Sequence, residues 1–186
     1  MNVKELLSIT NEEEILTLKT ILKYSEERNY INKKKSSNFV ELSYQDVWDI
    51  KVMIMGGDFI NATTRLLNVD KSKILKVNSK DFVPFIKFMT NQLNFINELE
   101  AKLNDVDTTD DFDRQQDLQA AGVQKLQKYG IINVVDELAN GKIWDWDKVK
   151  NTRYWDVYIK LMKDKDKASI SAAYNKIVTS KNKRNG

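Results

Sequence analysis

Apolar residues recur three and four positions apart along most of the chain, the period of a helix with one buried face. The strongest run is Phe82, Ile86, Met89, Leu93, Ile96, Leu99 and Leu103, widened by Phe85, Phe88 and Phe95. Ser79 is placed to open that helix, and Pro84 falls near its first turns, where a missing N–H costs little. The stripe reads as a core face, with a partner-binding groove as the alternative.

Before it, residues 3–7 predict a short turn, followed by a helix from Thr10 to about residue 28. Thr10 and Glu13 have capping-box spacing, and Ile15, Leu16, Leu18, Ile21 and Leu22 supply its apolar face. Ser43, with Asp46 three residues on, caps a helix carrying Val47, Trp48, Ile50, Met53 and Ile54, which Gly56-Gly57 ends. Asp58 caps Phe59 to Leu67, and Asp70 caps one turn around Ile74-Leu75.

Beyond the long helix, the pattern predicts a fifth helix over 113–129, ending at Gly130, and a sixth over 134–139, ending at Asn140-Gly141. Asp145 caps Trp146 to Lys150, and Thr152 caps the last long helix. That helix carries Tyr154, Val157, Tyr158, Leu161 and Met162 early, then Tyr174, Ile177 and Val178 late. Its middle, Lys163-Asp164-Lys165-Asp166-Lys167, is nearly all charge and is expected to be solvated. Phe39-Val40-Glu41-Leu42 is the only strand-like piece. The expected fold is all-α, a bundle of six to eight helices: an N-terminal half (1–103), an acidic linker (104–113) and a C-terminal half (114–186) ending in a basic helix.

Composition narrows the chemistry. The 186 residues contain no Cys and no His, so disulfides, zinc fingers, Cys nucleophiles and His general bases are excluded. With 6 Gly and 1 Pro, the chain has too few turn residues for a sandwich or barrel. No apolar run reaches the ~20 residues of a membrane span, and the start lacks a signal-peptide layout. A soluble chain that is intracellular or assembled inside a cell, without a membrane partner, is expected.

The net charge of +3 hides an asymmetry. Twelve Lys/Arg and five Asp from residue 142 onward give +7, which leaves −4 before it. Asp105, Asp107, Asp110, Asp111, Asp113 and Asp117 form an acidic joint against Arg114. The basic end reads as a solvated helix or as a surface for nucleic acid or an acidic partner. Lys33-Lys34-Lys35 reads as an exposed loop. The joint lacks the central Gly and closing Glu of a calcium loop, and no glycine-rich phosphate loop follows Gly56-Gly57. No metal, no cofactor and no catalytic residue is expected, and the protein is read as no enzyme.

Three of the four tryptophans crowd into twelve residues. Trp144, Trp146, Tyr154, Trp155 and Tyr158 read as a core anchor, as a docking patch, because Trp and Tyr concentrate binding energy, or, third, as a base-stacking surface beside the nearby lysines. Tyr174, Ile177, Lys181, Lys183 and Arg184 extend the expected interaction surface to the C-terminus.

An echo also runs through the chain. With an offset of 73, Asn78-Ser79-Lys80-Asp81-Phe82-Val83-Pro84-Phe85-Ile86-Lys87-Phe88-Met89 aligns with Asn151-Thr152-Arg153-Tyr154-Trp155-Asp156-Val157-Tyr158-Ile159-Lys160-Leu161-Met162, and Gly57 meets Gly130. Either a helical unit is duplicated or helix starts resemble one another by chance; two copies are too few for a solenoid.

Tyr129-Gly130, the helix from Ile131, Leu138-Ala139-Asn140-Gly141, Trp146-Asp147-Lys148-Val149 and Tyr154-Trp155-Asp156-Val157 together resemble small helical proteins of tailed bacteriophages, including the crAss-like group of Bacteroidetes. Leu42-Ser43, Asp46-Val47-Trp48 and Ile50 extend the likeness to the first half. Such proteins are virion structural components of the head–tail connector or tail, or tail assembly chaperones. The resemblance implies a non-enzymatic virion protein acting as one subunit of a ring, a homo-oligomer partnered by other phage structural proteins. The alternative is a chaperone confined to the host cytoplasm that binds tail or tape-measure protein transiently. A nucleic-acid-binding module is the third reading.

Overall fold

The computed structural model describes residues 2–6, 16, 20–105 and 116–184, with side chains to 182. About three quarters of the chain is helical and little is strand, so the protein is all-α. The chain divides into two compact units, Met1–Glu98 and Leu99–Gly186. The Thr10–Glu13 cap, Ile15, Leu18 and residues 106–115 of the acidic joint lie outside the described residues.

The first unit begins with α1 (Val3–Leu6), tied back by Val3 N–H donating to the Val77 carbonyl at 3.0 Å. Residues 20–24 are helical and stop at Ser25, short of residue 28. The lysine run forms a two-residue hairpin, β1 (Tyr30–Ile31) and β2 (Lys34–Lys35), across Asn32 (φ 48°) and Lys33 (φ 68°). Positive φ at both central residues gives the turn a twist that matches the strands.

Phe39–Glu41 is a 3-10 helix rather than a strand. Tertiary contacts decide this: the Phe39 N–H donates to Gln92 Oε1 at 2.9 Å, and its ring stands edge-on to Phe88 at 6.4 Å. The helix α2 (Tyr44–Met55) starts where Ser43 Oγ accepts from the Asp46 N–H at 3.1 Å, and α3 (Phe59–Leu67) where Asp58 Oδ1 accepts from the Asn61 N–H at 3.1 Å. Gly57, at φ 79°, makes the left-handed turn between them. The single turn α4 (Lys71–Ile74) leads into α5 (Ser79–Asn104). Its cap is Asn78, whose Oδ1 accepts from the Lys80 N–H at 2.9 Å; Ser79 is already helical. Phe39, Ile50, Thr63, Phe82, Phe85, Phe88 and Met89 are almost wholly buried in this unit.

The second unit departs further from the expected elements. In place of one fifth helix, residues 116–120 are helical, Gly122 turns at φ 88°, and Val123–Tyr129 is a 3-10 helix with no buried residue. Then come α6 (Ile132–Leu138), ended by Asn140 (φ 52°) and Gly141 (φ 72°), and α7 (Trp146–Lys150). Asp145 makes no cap; its carboxylate accepts from Lys148 Nζ instead. The last helix, α8 (Tyr154–Arg184), follows Arg153 rather than a Thr152 cap, because Thr152 Oγ1 donates to the Lys148 carbonyl at 2.8 Å. Among the described residues, no helix is long and apolar enough to cross a membrane.

Candidate interaction surface

The tryptophan-rich segment separates into inward and outward parts. Trp146 is half-buried; its Nε1–H donates to Asp136 Oδ1 at 3.0 Å, and Lys150 Nζ lies 5.9 Å from its ring. Trp144, two residues earlier, is 74% exposed beside exposed Ile143. Tyr154, Val157 and Tyr158 are buried, and the Tyr154 hydroxyl donates to Glu100 Oε1 at 3.5 Å. Trp155 stacks against Tyr158 with ring centroids 5.5 Å apart but stays 36% exposed. The expected aromatic patch is therefore divided: Tyr158 is a core residue, Trp146 a half-buried anchor, and Trp144 and Trp155 reach solvent.

The inner row of α8 runs Tyr154, Tyr158, Leu161, Lys165, in steps of four, three and four. Lys165 is half-buried inside the charge run expected to be solvated. Its ammonium donates to the carbonyls of Lys102 and Asp105, each at 2.8 Å. These are acceptors at the end of α5 that no further helical turn can satisfy, so the cation closes a helix C-terminus.

The outer row is different. From Asp166 to Ile177 every residue is exposed. Ile159 (47%), Ile170 (69%), Tyr174 (64%) and Ile177 (52%) join Trp155 on the side of the helix away from the inner row, as 3.6 residues per turn requires. Lys181 is exposed at the end of the row, whereas the side chains of Lys183 and Arg184 lie outside the described residues. Ile159 and Ile170 were not among the residues expected from the sequence. Their signal was the stepping of positions 155, 159, 163, 166, 170, 174 and 177, four-four-three repeated, with Lys163 and Asp166 as the polar members.

Two pairs brace the start of α8. Hydrogen bonds from Arg153 hold the Asp156 carboxyl below its ordinary range, with Arg153's charge adding to the effect. Lys160 acts in the same way on Asp164. Among the described residues, no group of three or more acidic side chains could hold a metal ion. No protein-family model matches the chain, and no curated protein or solved structure is similar to it.

Proposed function

We propose that this chain is a non-enzymatic structural subunit of the connector or tail region of a tailed phage. It is assembled in the host cytoplasm, stays in the virion, works within a ring-shaped assembly, and joins its neighbours through α8. The observation that carries this reading is the outer row of that helix. Five large apolar side chains stand exposed between Trp155 and Ile177, on a helix whose opposite side is buried or half-buried only as far as Lys165. Exposed large apolar side chains aligned on one side of a helix, here in two groups separated by Lys163 and Asp166, support an interaction site. The phage setting rests on the resemblance of the second half. A bundle of two similar halves belongs to the same proposal, supported by the recurrence of glycine, short helix, one turn and long helix after 73 residues.

The second reading, a tail assembly chaperone, is favoured by the further exposed apolar side chains Val123, Leu126, Tyr129, Ile143 and Trp144, which are suited to transient clients. Mass spectrometry of purified particles separates the two: a structural subunit is present at stoichiometric level and a chaperone is absent. Deleting residues 171–186 is expected to leave a folded protein that no longer incorporates into particles. A truncated chain that incorporates like the full one refutes the role given to α8.

A further inference from the structure

The two long helices begin with the same pattern but end up differently covered. In α5 the row Phe82, Ile86, Met89, Leu93 is buried or half-buried. Segments from earlier in the chain lie along its first turns: Arg28 N–H donates to the Pro84 carbonyl at 3.2 Å, Lys87 Nζ to the Lys23 and Ser25 carbonyls, and Asn91 Nδ2 to Glu27 Oε2 at 2.7 Å. After 73 residues the same row reads Trp155, Ile159, Met162, Asp166. Trp155 and Ile159 are exposed there, and the apolar row continues through Ile170, Tyr174 and Ile177.

The spacing says what shape would cover it. Steps of four-four-three repeat every eleven residues, 155 to 166 to 177, which keeps an apolar seam nearly straight along a helix. The seam from 155 to 177 is about 33 Å long at about 1.5 Å per residue. A second helix laid along it meets the row at every turn. The charges say what that helix carries. From Lys167 to Arg184 there are five basic residues and no acidic one. A parallel copy of α8 would bring the same cations against them, and an antiparallel copy would offer only its charge-balanced first half, where Asp156, Asp164 and Asp166 balance Lys160, Lys163 and Lys165. An anionic bilayer would meet Asp156 and Asp166, which lie on the row's own side. An acidic helix can place its carboxylates along the basic outer half alone.

We propose that the outer row of α8 is the docking seam for an amphipathic helix supplied by a different protein, apolar along one side and acidic on its flanks. Trp155, Ile159, Ile170, Tyr174 and Ile177 pack against its apolar side, and Lys167 and Lys181 meet its carboxylates. This rests on the assembly role given to α8 and names the chemistry of the neighbour.

The test titrates the full chain into two labelled synthetic helices, followed by fluorescence anisotropy. Both probes carry Leu at four-four-three spacing; one has Glu flanks and the other Lys flanks. The Glu probe is expected to bind about tenfold or more tightly than the Lys probe, because opposite potentials select the partner. Its binding is expected to weaken at about 0.5 M salt. Ile170→Asp and Ile177→Asp, both at exposed positions, are expected to abolish binding without changing the thermal midpoint. Lys167→Glu with Lys181→Glu is expected to reverse the preference between probes, which a purely structural role would not do.

Equal affinity for both probes overturns the inference. So does binding to phosphatidylserine vesicles without binding to either probe, or self-association of the chain abolished by the same Ile substitutions. Particle incorporation distinguishes the two levels. If Ile177→Asp blocks incorporation while the Glu probe fails to bind, only the acidic-helix inference falls. If Ile177→Asp incorporates normally, the assembly role of α8 falls with it.

Discussion

Replacing Lys165 by Met isolates the cation that closes the end of α5. Met keeps most of the aliphatic stem and removes the ammonium that donates to the Lys102 and Asp105 carbonyls at 2.8 Å. Hydrogen bonds involving a charged group contribute about 1.5–3 kcal/mol each when their partners are shielded from water. The interaction of a cation with a helix C-terminus adds about 0.3–1 kcal/mol. Lys165 is only half-buried, so water re-enters and solvates the freed carbonyls, which cuts the net cost to about 1–2 kcal/mol. In a unit of this size about 1 kcal/mol lowers the midpoint by about 4–8 °C. Thermal unfolding followed by circular dichroism should therefore show a loss of about 5–15 °C in the transition of the second unit. Lys165→Arg should recover part of it. Lys167→Met, two residues on and exposed, should change stability by less than about 0.5 kcal/mol. Equal midpoints for the Lys165 and Lys167 variants would show that the ammonium contributes nothing and would refute the reasoning.

Phe85→Ala, at a position with no exposure, should cost about 3–5 kcal/mol by chemical denaturation. Phe95→Ala on the same helix, 41% exposed, should cost far less, and comparable losses would contradict the described core. The Asp156 and Asp164 carboxyls are held below their ordinary range by Arg153 and Lys160. The stabilisation from these pairs is therefore present above the ordinary aspartate range and is lost as pH falls through the lowered values. Carboxyl titration by NMR should place both below the ordinary aspartate range, and Arg153→Ala should return Asp156 to it.

Helix ends marked by local chemistry were legible in the sequence. Ser43 with Asp46, Asp58 with Asn61, and the left-handed Gly57 and Gly141 act within a few residues of themselves. What failed depended on partners far along the chain or on competition between near neighbours. Phe39 is held in a 3-10 turn by Gln92 and Phe88, about fifty residues away. Asn78 and Ser79 both suit a helix start, and Asn78 is the one whose side chain reaches the first turn. Thr152 finds a carbonyl behind it and so caps nothing ahead. Lys165 sits among like residues, and only its register with Tyr154, Tyr158 and Leu161 distinguishes it from Lys163 and Lys167. The late aromatic and aliphatic residues of the last helix were visible as candidates, but their separation from its core-facing side was not. Two apolar rows on one helix largely cancel in a simple amphipathic reading.

The division of α8 into an anchored first half and an exposed second half has a kinetic consequence. Starting a helix is the costly event, because several residues must be fixed for the first hydrogen bond, whereas each later residue adds one bond as it joins. Tyr154, Val157 and Tyr158 fix the first turns by burial, and Lys165 ties the fourth to the end of α5. The residues after Asp166 therefore grow from an existing template, helped by Ala168, Ala172 and Ala173, which lose no side-chain freedom. A partner of the kind proposed for Ile170 and Tyr174 would meet a helix that is already wound. Association can then proceed by direct docking at a rate set by encounter, without waiting for the segment to fold on the partner's surface.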